Sequence, residues 1–140
     1  MSLESELVTW LDAGLSGSGI AQWDESTQTG MLFAERLPTD DTPAISIQTT
    51  EWAQHRNGVP GMLTAQLAIF SQGNLIIQHN RVAEYFTEKG AGETLFRPID
   101  LTSFRIENLV WAIRYPAKVG TTAGGGFLLK TTSKLIVKEL

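Results

Sequence analysis

Two histidines, three carboxylate pairs and two glycine-rich segments are the residues of this chain whose types could support catalysis or ligand binding. His55 and His79 stand in different segments, and neither has a carboxylate or second histidine three or four residues on. A local metal motif needs such spacing. The residues at those positions are Gly58 and Val59 for His55, and Val82 and Ala83 for His79. Solvent-facing histidines are the expected reading. No Gly-x-Ser-x-Gly elbow is present, so a serine nucleophile would need a triad assembled across the fold.

The carboxylates come as Asp24-Glu25, Asp40-Asp41, and Glu84 with Glu88. A paired acid does general acid-base work when one member is buried and raised in pKa. Glu84 and Glu88 share a helix face but stand between Arg81 and Lys89, which reads as an ordinary solvated surface. Asp40 and Asp41 lie between Pro38 and Pro43, and there they fit a turn whose carboxylates accept local backbone hydrogen bonds.

Neither glycine segment has the form of a phosphate cradle. Residues 120–126 run into Phe127-Leu128-Leu129, a strand sequence, where a phosphate loop would enter a helix through Lys-Ser or Lys-Thr. Residues 14–19 follow a helical stretch and lack the third glycine of a dinucleotide fingerprint. Both read as connectors, residues 120–126 as a mobile loop.

Cations and aromatics are the more informative set. Lys130, Lys134 and Lys138 share one strand face, which suits an anionic partner or a protected sheet edge. Arg105, Trp111 and Arg114 precede them, and Arg and Trp are favoured interface anchors. Trp111 reads as core, and Trp52 as the better interface candidate.

Composition narrows the class. A chain of 140 residues with 42% hydrophobic content supports one domain with one core. There are no cysteines, which excludes disulfides, thiolate metal sites and thiol catalysis. No apolar run approaches the roughly 18 residues of a membrane-spanning helix. The acidic start Met1-Ser2-Leu3-Glu4-Ser5-Glu6 has no signal-peptide pattern, which predicts folding in a cytoplasm. Net charge is −4, unlike a dedicated nucleic-acid binder. Residues 1–96 carry 12 acidic and 4 basic side chains, and residues 97–140 carry 3 acidic and 7 basic. Solvated faces account for this asymmetry, and so does head-to-tail complementarity between copies.

The elements that must position these residues follow from periodicity. Ser2 fits an N-cap, and Leu3, Leu7, Leu11 and Leu15 with Val8 and Trp10 predict a helix over 3–13 that Gly14 ends. Residues 31–35 and 44–49 read as strands on either side of the acidic turn. Residues 62–70 form the next strand, with Asn57-Gly58 as a hairpin signal. A tight turn there sets Ile45 opposite Phe70 and Trp52 opposite Leu63, whereas Pro60 favours a looser loop. This long hairpin, from about 44 to 70, is expected to project and grip a neighbour. A second helix spans 74–89, with Leu75, Val82 and Phe86 as its stripe, Ile76 and Ala83 beside it, and Gly90 as its stop. Residues 103–115 and 127–139 are the closing strands. The order predicts an α+β fold: an antiparallel sheet with a long β-hairpin and two helices packed on one face.

This order resembles the tail-terminator and minor capsid (tail-completion) family of long-tailed phages. Leu37-Pro38-Thr39-Asp40-Asp41 followed by Ala44-Ile45-Ser46-Ile47 fits its early turn and strand. Residues 62–70 leading into the helix at 74–89 fit its middle. Residues 105–115, Pro116, a glycine-containing loop and residues 131–137 fit its closing strand pair. The triple glycine 124–126 and the long segment 19–30 have no counterpart in that pattern.

The resemblance implies that residues 1–140 form a single tail-terminator-like domain with a structural, non-enzymatic role. It implies a homohexameric ring at the head-proximal end of the tail tube, located in the virion and assembled in the host cytoplasm. Such a ring ends tube polymerisation and joins the tail to the head connector, and DNA passes through without sequence-specific binding. The partners are then copies of this chain, the tube protein and the connector, with no cofactor, metal or membrane. Interface residues are expected at Arg36, Asp40, Asp41, Trp52, Arg56, Arg105, Arg114 and Lys118. The alternatives are another neck subunit, a tail-assembly chaperone, or a small hydrolase in which His55 or His79 meets an Asp or Glu.

Overall fold

A computed structural model describes residues 2–55, 60–89 and 97–140. Helix α1 spans Leu3–Leu15, capped by the Ser2 side chain accepting the Ser5 amide. Its leucine stripe is buried throughout. Gly14 lies inside the helix and does not end it; a short 3-10 turn at Ser16–Ser18 follows, and Gly19 closes that turn at φ 82°. Gly14 serves a different purpose: the phenol ring of Tyr85 occupies the space its Cβ would take.

The strands are β1 (Leu32–Ala34), β2 (Ala44–Gln54), β3 (Met62–Gln72), β4 (Ile99–Asp100), β5 (Phe104–Thr121) and β6 (Phe127–Glu139). Helix α2 (Ile76–Lys89) connects β3 to β4. The strands form one sheet in the order β1-β2-β3-β6-β5-β4. β1 runs parallel to β2 and every other pairing is antiparallel. Among the described residues the fold is α+β, with two α-helices and a mixed, mostly antiparallel sheet. Both helices and the inward side chains Ile45, Ile47, Leu67, Ile69, Leu135 and Val137 share one core cluster.

Several further expectations meet the structure here. Of the two alternatives for β2–β3, the register departs from the tight turn: Ile45 stands opposite Ser71, Ala53 opposite Thr64 and Gln54 opposite Leu63. A bulge between Thr50 and Ala53, with Glu51 at φ 56°, absorbs one extra residue of β2, and Leu63 pairs with Gln54 rather than Trp52. The expected turn at Asn57-Gly58 and the stop at Gly90 lie outside the described residues.

β2 and β3, 11 residues each, pair antiparallel as expected, and β5–β6 is a longer pair still. β5 continues through Pro116 to Thr121, giving it 18 residues against 13 in β6, with four register shifts between them. Pro116 falls in the shift between Ile113 and Ala117, where the ladder needs no donor from it. The glycine segment is a closed turn: the Thr122 amide bonds the Gly126 carbonyl at 2.9 Å, and the Gly125 amide the Thr122 carbonyl at 3.0 Å.

A further correction concerns His79. It is fully buried, not solvent-facing. Positions 79, 82, 83 and 86 make one stripe at helical spacing, and His79 fills the place expected of Ile76, which is 45% exposed.

Candidate assembly surfaces

The histidine is the obvious place to look for chemistry. Ser71 Oγ lies 2.6 Å from His79 Nδ1, and Thr131 Oγ1 lies 3.2 Å from Nε2. A neutral ring donates from one nitrogen and accepts at the other, so both hydroxyls are satisfied by one imidazole. Burial, aided by the Arg114 guanidinium, pushes the His79 pKa down to about 4. Ser71, His79 and Thr131 are all sealed from solvent. The second ring nitrogen meets a hydroxyl where a triad would place a carboxylate. What the arrangement does is tie α2 to β3 and β6.

His55 is half-buried in a shallow depression of about 550 Å³ on the opposite sheet face, beside Asn108, Val110 and Lys134. Among the described residues no three of His, Cys, Asp and Glu converge as metal ligands, and no helix is long and apolar enough to cross a membrane.

The expected interface residues fall into separate groups. Arg36 is exposed at the start of the acidic corner. Asp40 accepts the Thr42 amide and hydroxyl at 3.2 and 2.6 Å, and these bonds hold its carboxyl below the usual range. Asp41 packs against the β5–β6 turn: a Cβ on Gly124 would come within 2.5 Å of its Oδ2. The corner is anchored from beneath by the Gln72 amide, which donates to the Pro38 and Thr42 carbonyls at 3.1 and 2.8 Å.

Trp52 is 41% exposed on β2 and donates to Thr49 Oγ1 at 3.1 Å. Arg56 lies outside the described residues. Arg105 pairs with Asp100 at 3.1 Å, close to the short β4. Arg114 stands over the Trp111 and Tyr115 rings, at 5.6 and 5.1 Å. Lys118 Nζ lies 4.3 Å from the centre of the Phe127 ring. Trp111 itself is half-buried and packs edge-on to Phe86 at the margin of the core.

Residue types alone missed the largest feature. β4 covers β5 only at Arg105 and Ile106. Among the described residues, no strand pairs with the outer edge of β5 from Glu107 to Thr121. Along it Val110, Ile113, Tyr115 and Val119 are 59%, 48%, 73% and 51% exposed. The signal lay in Leu109-Val110-Trp111-Ala112-Ile113, a run apolar on both faces. Such a run suits a strand covered on both sides, and this one lies at an edge.

A second apolar surface lies nearby. A groove of about 490 Å³ runs between the start of α2 and the β5–β6 turn, lined by Gly73, Leu75, Ile76, Phe127 and Leu129. Ile76 and Phe127 at its margin are 45% and 60% exposed. No family model matches this chain, and no curated protein matches it.

Proposed function

We propose that this chain is a ring-forming structural protein of a phage tail, which ends the tube at its head-proximal side and receives the head connector. One observation carries the reading: the long β5–β6 hairpin, open along its outer edge and studded with exposed apolar side chains. Pro116, Lys118 and the four bulges blunt backbone pairing along this edge, but its exposed apolar side chains form a surface that soluble monomers seldom leave uncovered. Edge and groove are different surfaces of one molecule, which suits heterologous contacts that close into a ring.

The order of elements and the proline-bracketed acidic corner support the phage assignment. The test is to mix the purified protein with tail tubes, then measure its mass in solution and image the tube ends. Rings, or tubes that stop growing and carry a terminal cap, are expected. A chain that stays monomeric and leaves tube ends growing overturns the proposal.

A further inference from the structure

We propose that a pocket between α1 and the β4–β5 turn binds a cation carried on an alkyl chain, the guanidinium or ammonium group that ends an arginine or lysine side chain. The pocket has a volume of about 460 Å³, within the range of small-ligand sites. α1 contributes Glu6, Trp10 and Ala13 to its lining, and β4 with the turn after it contributes Asp100 and Leu101. The site does not depend on the ring-forming reading above.

Glu6 is the one buried carboxylate among the described residues, at 4% exposed. Its Oε1 accepts the Ser103 amide at 2.7 Å, which ties α1 to the turn. Its Oε2 is cut off from solvent and has no hydrogen-bond partner. No cation pairs with Glu6 among the described residues. The Ser103 bond accounts for where the side chain sits, but it leaves one acceptor oxygen buried and unmet, which is costly. A donor entering the pocket that Glu6 lines removes that cost. Asp100 supplies a second carboxylate, 76% exposed and already beside Arg105 at 3.1 Å. It draws a cation toward the pocket, and Glu6 is the carboxylate without a counter-charge. Trp10 is held in place by Tyr85 and Phe86, at 4.7 and 5.1 Å between ring centres, and Ala13 and Leu101 add apolar surface. An indole attracts a cation, and an alkyl stem packs on apolar side chains while its charged end reaches a carboxylate. An anion is repelled by both acids, and a neutral apolar guest leaves Glu6 unmet.

Three probes test the site: agmatine as a free alkylguanidinium, a capped glycine-arginine-glycine peptide, and the same peptide with citrulline as the neutral isostere. Titration of the isotope-labelled full chain, followed by NMR, reads the Trp10 indole and the Ser103 amide that Glu6 holds. Saturable shifts of both signals are expected with the arginine probes. The citrulline peptide should bind roughly tenfold more weakly, as loss of a charged hydrogen bond predicts. Glu6→Gln keeps an oxygen for Ser103 and removes the charge, and it should weaken the arginine peptide by a similar factor. Tighter binding of the peptide than of agmatine supports the site with a partner protein's side chain as the source, and the reverse supports it with a free amine or guanidine. No saturation by either arginine probe at millimolar concentration overturns the proposal. Equal binding of the citrulline peptide also overturns it, and that comparison needs no variant. Unchanged affinity in a folded Glu6→Gln chain overturns it as well and leaves Glu6 as a tie between α1 and the turn.

Discussion

Ser71 and His79 face each other at 2.6 Å across the turn that joins β3 to α2, and neither is exposed to solvent. The pair fixes the first half of α2 to the sheet, with Thr131 as the second anchor on β6. A helix whose opening residue Ile76 is half in water gains registry from these two polar contacts, in addition to the apolar stripe further on.

The pH dependence of stability follows from this pair. The folded His79 pKa is about 4, below its ordinary value of 6.5. The unfolded chain therefore binds the proton first as pH falls. Stability is unaffected above about 6.5, declines between about 6.5 and 4, and levels off below. The whole span is worth about 3 kcal/mol. Urea unfolding at pH 7.5, 5.5 and 4.5 measures it. His79→Leu should remove this component of the decline while lowering stability at pH 7.5, because two buried hydroxyls lose their partner.

Gly14→Ala should destabilise the protein although alanine is the better helix former. The added methyl displaces the Tyr85 ring, which packs on Trp10 at 4.7 Å between centroids. A loss of about 1–3 kcal/mol is expected. Combining it with Tyr85→Leu should recover part of that loss, whereas additive effects of the two changes would rule out the steric cause.

Gln72→Leu should release the acidic corner. The Pro38 and Thr42 carbonyls lose their shared donor, at a cost of about 1–3 kcal/mol. Limited proteolysis followed by mass spectrometry should show new cleavage between residues 38 and 43. Unchanged cleavage would mean that the prolines alone hold the corner.

Trp52→Ala should leave the monomer within about 1 kcal/mol of its original stability, as expected for a surface position. The ring is 41% exposed and has one hydrogen bond, to Thr49. If Trp52 takes part in association, the variant's assembly midpoint moves to higher protein concentration. A large drop in the urea midpoint would instead make Trp52 part of the core.

The helices were legible because their periodicity is strong: the leucine stripe of α1 is buried as spaced. His79 was misread because its polarity outweighed its position, although 79, 82, 83 and 86 share a face. The length of β5 was hidden by Pro116, which normally ends a strand and here falls in a bulge. Arg36, Asp40 and Lys118 are exposed, as a surface role requires, but the apolar edge and groove of the same molecule depend on strand order. No local pattern reveals which strand ends up at an edge.

The five residues by which β5 exceeds β6 are taken up in bulges, and bulges increase twist. A flat ribbon adds copies along a straight line without limit. A coiled ribbon turns each neighbour by a fixed angle relative to the last, so repeated contacts trace an arc. The surplus length of a single strand thus records how tightly this ribbon is wound, and any chain that pairs along it has to follow the same coil.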